Sequence, residues 1–216
     1  MMRASRLFLS TAAALLAFAV PASAHEVWIE RDGAGPVRLY LQEIDAVMVE
    51  SDETHRLQSS VVFTADPARP APLARKTDHF EAAVGGKGDV RLVNDNVFAP
   101  WTDAGIKQGQ VYHARAGRSE TAAKLDFELV PATSGGEAFT LLFRGKPVAA
   151  STVTVFSPAR WKKAVLTDAA GRFTVPDAGK GRYILVASTQ EDVARKMSGE
   201  DVARVHHMTT ISYSKD

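Results

Sequence analysis

The sequence predicts a mainly β protein: an N-terminal antiparallel β part followed by a C-terminal antiparallel β-sandwich. Two patterns predict it. Short stretches alternate apolar and polar residues, as in Val37-Arg38-Leu39-Tyr40-Leu41 and Lys124-Leu125-Asp126-Phe127-Glu128-Leu129-Val130, which is the period of a half-buried strand. Turn clusters rich in Gly and Pro, such as Asp32-Gly33-Ala34-Gly35-Pro36, separate them. No stretch has the spacing of a long amphipathic helix.

The chain opens with a secretory leader over residues 1–24. Arg3 and Arg6 give it a positive start, Leu7 to Val20 an apolar core, and Ala22-Ser23-Ala24 a small-residue cleavage pattern. The apolar run is shorter than the ~20 residues that span a bilayer and is closed by Pro21. Cleavage after Ala24 leaves an exported, periplasmic chain that begins at His25, with no membrane insertion. That chain carries 24 Lys+Arg against 25 Asp+Glu, a formal charge of −1, which argues against nucleic acid or an anionic membrane as partner. The sequence has no cysteine, so packing alone holds the fold, and thiolate ligands and a Cys nucleophile are excluded.

Taken in order, Val27 to Ile29, Val37 to Leu41, Val61 to Thr64, Thr77 to Val84, Asp89 to Val93, Gln110 to Arg115 and Lys124 to Val130 read as strands. Gln42 to Gln58 is weakly patterned and reads as a surface excursion, with His55 a solvated loop histidine. Pro131-Ala132-Thr133-Ser134-Gly135-Gly136 has linker composition and sets a boundary between an N-terminal domain over 25–131 and a C-terminal domain over 137–216. The second part continues with Phe139 to Phe143, Thr152 to Phe156, Trp161 to Thr167, Arg172 to Val175, Gly181 to Ala187 and Val205 to Tyr213. This spacing suits an antiparallel sandwich. The charged run from Thr189 to Ala203 leaves room for a short helix.

The pieces Arg144-Gly145-Lys146-Pro147-Val148, Thr167-Asp168-Ala169-Ala170-Gly171-Arg172-Phe173 and Gly181-Arg182-Tyr183 resemble a Cna-B-type or prealbumin-like sandwich of the carboxypeptidase-regulatory kind. Further landmarks are Ala24-His25-Glu26-Val27-Trp28-Ile29-Glu30, Asp78-His79-Phe80, Ala123 to Pro131, Phe143 to Pro147 and His207-Met208-Thr209-Thr210-Ile211. With them the mature chain is similar to a family of bacterial periplasmic proteins described as the periplasmic component of cobalt or nickel ABC-type uptake. The resemblance implies a divalent transition metal as ligand, Ni²⁺ or Co²⁺ favoured, and an inner-membrane metal-uptake transporter as partner. It carries no motif between Gln42 and Pro72.

The residues themselves support metal chemistry at one point. A mature N-terminal His25 offers its α-amine and Nδ1 to one ion. Such donors suit Ni²⁺, Co²⁺, Cu²⁺ or Zn²⁺, with Cu²⁺ intrinsically the strongest. His79 and His207, at the family's motif positions, are the candidates to complete the coordination, and Glu26 or Glu30 could orient an imidazole. His206 and His207 point to opposite faces of a strand; the resemblance favours His207. Against this, His79 and His113 also read as ordinary strand histidines satisfied by backbone groups. The competing functions are a structural or protein-interaction module and, further off, a copper histidine-brace oxidase. The chain has no nucleophile elbow, phosphate loop or His-Glu-x-x-His helix, so the expectation is a binding protein without enzymatic activity.

Overall fold

The strands predicted from alternation form, and they assemble into three sheets, the largest of which draws strands from both parts of the chain. The structure is a computed structural model that describes residues 25–45, 52–86 and 88–216; the expected leader over 1–24 lies outside them. Before the linker the chain forms β1 (Glu26–Arg31), β2 (Val37–Gln42), a 3₁₀ helix (Asp52–Ser59), β3 (Val61–Phe63), β4 (Leu73–Arg75), β5 (Phe80–Ala82), β6 (Val90–Asn94), β7 (Trp101–Asp103), β8 (Ile106–Ala116) and β9 (Phe127–Pro131). After it come β10 (Ala138–Phe143), β11 (Lys146–Pro147), β12 (Thr152–Phe156), β13 (Lys162–Leu166), β14 (Arg172–Thr174), β15 (Gly181–Met197) and β16 (Glu200–Lys215).

Among the described residues these strands make one large sheet, ordered β13-β12-β15-β16-β8-β6-β3 with β7 beside β8, and two smaller ones. A four-stranded sheet, β1-β2-β5-β4, packs on one face; β9, β10, β11 and β14 form the third. Side-chain alternation along β15 shows the layering. Ile184 and Val186 join Val27, Ile29 and Leu39 in one apolar cluster. Tyr183, Leu185 and Ala187 join Phe127, Phe139 and Leu141 in another. Because both faces of β15 are covered, Tyr183-Ile184-Leu185-Val186-Ala187 is apolar without interruption. Each fully buried Val, Leu, Ile or Phe contributes about 1.5–3 kcal/mol.

The large sheet crosses the expected domain boundary. β16, from the second part, runs parallel to β8 of the first over Arg204↔Gln108 to Ser212↔Ala116. Thr210 Oγ1 donates to Val27 O at 2.9 Å and Ser212 Oγ donates to Ile29 O, so β1 is seated directly on β16. The segments 25–131 and 137–216 therefore share one sheet.

The run from Thr189 to Ala203 is strand and turn rather than helix. It forms the outer half of the β15–β16 hairpin, closed at Ser198-Gly199, both with positive φ (50° and 84°), as a type I′ turn requires. Met197, Val202 and Val205 pack with Val111 in a small apolar cluster of their own. The stretch read as a surface excursion contains the 3₁₀ helix, with Thr54 and Leu57 buried and His55 exposed, as its solvated reading required.

A buried ion cluster ties β6 and β8 to the segment leading into β9. Arg91, Arg115 and Glu128 have no exposed surface. Glu128 Oε1 accepts from Arg91 Nε at 3.1 Å and Arg115 Nη1 at 2.9 Å; its Oε2 accepts from the amides of Lys124 and Leu125 at 2.6 and 2.9 Å. Asp89 accepts from Arg115 Nε at 3.1 Å and from the Ser119 amide and hydroxyl at 3.0 and 2.6 Å. Burial alone would raise the Asp89 carboxyl, yet the bonds from Ser119 and Arg115 hold it below its usual range. Gly117 sits beside it at φ +99°, where a Cβ would run into Asp89 Oδ1. The Gly117→Ala variant is accordingly expected to lose about 1–3 kcal/mol from backbone strain alone, read as a lower urea midpoint.

Candidate functional site

His25 lies at the foot of β1, immediately before Glu26, and its imidazole remains part-exposed. Its Nε2 is 3.4 Å from Glu53 Oε2, on the first turn of the 3₁₀ helix. Glu53 also meets Arg56 Nη2 at 3.4 Å. Glu26 accepts the Ile44 amide at 3.3 Å, and burial raises its carboxyl above the ordinary glutamate range. Tyr112 lies in the apolar cluster with β1, and its phenol is pushed up by burial and then by Glu26 and Glu53. The surroundings of His25 are thus acidic. A ring that donates Nε2–H to Glu53 keeps its lone pair on Nδ1, the nitrogen that closes a chelate with an α-amine.

His79 stands elsewhere, just before β5. Its Nδ1 is 2.7 Å from Asp78 Oδ1, its buried Nε2 is 3.6 Å from Glu81 Oε1, and its ring faces Tyr40, which stacks on Trp28. His207 lies on the side of β16 that faces away from β1: Met208, Thr210 and Ser212 turn toward β1, while Ile211 and Tyr213 pack into the cluster with β9 and β10. Among the described residues no group of three or more His, Asp or Glu side chains is placed to hold a metal ion. Among the described residues His25, His79 and His207 do not form one such group. For His207 the cause is strand alternation, which puts it across the sheet from β1.

The partner of His207 is one that sequence reasoning left at the ordinary strand role. His113 Nε2 is 3.3 Å from His207 Nδ1, and the rings are 5.6 Å apart with planes 20° from parallel. His207 Nε2 is 3.2 Å from Glu191 Oε1, which is held by Arg144. Burial opposes the Glu191 charge, but hydrogen bonds from Arg144 and His207 leave its carboxyl below the usual range. His206 points the other way, stacked on the half-exposed Trp101 at 5.6 Å with Nε2 2.5 Å from Gln108 Oε1. Local sequence carries no signal for the pair, because both strands bury other polar residues beside it, Arg115 on β8 and Thr209 on β16 among them.

Burial pushes the His113 imidazole down to about 3 and also lowers His207. A depressed folded-state value favours the neutral ring, so the stabilising difference is intact above the unfolded value of about 6.5 and is lost as pH falls toward the folded values. Wild-type stability should therefore decline as pH drops from about 6.5 toward 3. His113→Gln should flatten that decline in urea titrations repeated across pH.

Comparison with protein-family models, with curated proteins and with solved structures finds no match to this chain.

Proposed function

We infer that the processed protein binds a divalent transition metal at its N-terminus and serves as a periplasmic accessory to metal uptake. His25 supplies the α-amine and Nδ1, which close a six-membered chelate ring on the ion. Ni²⁺ and Co²⁺ are favoured by the resemblance to the uptake-associated family; Cu²⁺ and Zn²⁺ fit the same donors. The observation that carries the reading is the 3.4 Å contact between His25 Nε2 and Glu53 Oε2. A carboxylate on the far nitrogen fixes the tautomer and orientation of a metal-binding imidazole and raises its basicity. Glu26 and Glu53 add negative charge where a cation would arrive. His25 leaves coordination positions open, which suits cargo passed to a transporter rather than a closed structural site.

The test is intact-mass and metal analysis of protein purified from the periplasm. The expected result is a chain beginning at His25 with one equivalent of metal. A chain that begins at His25, carries no metal and shows no rise in Tm with added Ni²⁺ or Co²⁺ would overturn the reading in favour of a structural or interaction module.

A further inference from the structure

His113 and His207 are 3% and 1% exposed, and their facing nitrogens are 3.3 Å apart. The separation of the ring centroids, 5.6 Å, is little more than that distance lengthened by the two ring radii, so the nitrogens point at each other in line. With its Nε2–H turned to Glu191, His207 presents a lone pair on Nδ1 toward His113. At the other end of the pair, His113 Nδ1 is buried without a partner, and so is Oγ1 of Thr209, the residue in register with His113 on β16. Both imidazoles line a cleft of about 220 Å³ whose walls include Phe63, Pro67, Lys124, Asp126 and Arg195. The basic groups around it already have acidic partners: Arg144 with Glu191, Arg195 with Asp95, and Lys124 with Glu120.

We propose that this imidazole pair is a two-coordinate site for a monovalent d¹⁰ cation, Cu⁺ or Ag⁺. The donor count decides the class. Divalent ions such as Zn²⁺ take four ligands in closed protein sites; here Glu191 engages the far nitrogen of His207, Asp126 lines the same cleft, and no group of three or more His, Asp or Glu side chains among the described residues is placed to hold a metal ion. A d¹⁰ monovalent ion accepts two nitrogens in line. Metal–imidazole bonds of about 2.0–2.1 Å need the nitrogens about 4 Å apart, so the present gap must widen by less than about 1 Å. The proton balance is closed within the pair. The ion replaces the proton that His113 Nε2 shares with His207 Nδ1, that proton moves to His113 Nδ1, and both rings stay neutral with no net proton release. Glu191 on the far nitrogen of His207 orients the ligand. This site is independent of the N-terminal one.

The experiment uses His25→Ala protein, which lacks the N-terminal chelate, titrated with Ag⁺ by calorimetry. One equivalent should bind, with heats that do not depend on the buffer's ionisation enthalpy. Adding His113→Gln should weaken binding by ~10–100-fold or more. On folded protein with both histidines intact, the ¹⁵N signals of His113 Nε2 and His207 Nδ1 should shift together at one equivalent, and His113 should change tautomer. Unchanged Ag⁺ affinity in His113→Gln, or ring nitrogens that do not move at saturation, would overturn the proposal. If the double variant does not fold, the ¹⁵N measurement decides alone. Loss of Ni²⁺ or Co²⁺ binding at His25 would not affect this result.

Discussion

The Glu128→Ala variant is expected to be about 3–5 kcal/mol less stable than wild type, the cost of breaking a buried ion pair from one side. Glu128 is fully buried and its two oxygens take four hydrogen bonds, two from guanidinium groups and two from the amides that lead into β9. Its removal leaves Arg91 with Glu120 at the cluster's rim and Arg115 with Asp89, two buried cations short of one carboxylate. Glu128→Gln keeps an acceptor but not the charge and should lose less. Urea denaturation reads both. Asp192, paired with Arg204 on the outer half of the β15–β16 hairpin, makes the contrasting control: Asp192→Ala should leave the midpoint near that of wild type, because exposed pairs contribute little. A Glu128→Ala midpoint as high as that of the control would mean that the cluster is not held by Glu128.

His25→Ala, in a chain that begins at residue 25, is expected to abolish tight Ni²⁺ binding in calorimetry, since it removes the imidazole and with it the chelate. A precursor that still carries residues 1–24 should fail in the same way, because its His25 nitrogen is an amide. Glu53→Ala should retain binding but weaken it ~10–100-fold, the usual cost of losing a residue that orients a metal-binding imidazole. His79→Ala should leave affinity close to wild type. The pH dependence has a defined sign: the α-amine must be deprotonated to bind, so affinity falls as pH drops below about 7.7–8.0. Equal affinity for His25→Ala and wild type would remove the N-terminal site.

Much of this fold is legible locally. Val37 to Leu41 alternates and becomes β2 with Val37, Leu39 and Leu41 buried. The opposite directions of His206 and His207 follow from strand geometry and are found so. What local reading misses is long-range. Nothing in Gln110 to Arg115 announces that its neighbour is β16, in parallel, and so nothing there pairs His113 with His207. Arg91 and Arg115 look like the solvent-facing half of alternating strands, but both are buried because the 119–128 segment covers them with carboxylates. The run from Thr189 to Ala203 is charged because the hairpin tip is exposed on much of its surface, and its strand signal reduces to Met197 and Val202.

The position of β16 sets an order of events. It fills the gap between β15 and β8 in the large sheet, yet β8 is made long before it, and β1 rests on carbonyl-binding hydroxyls that β16 supplies. Until β16 is available, β8 lacks one of its ladder partners and β1 lacks its seat. Pairings this distant in sequence are slow to form. The finished sheet, by the same token, is held shut by its last-made strand.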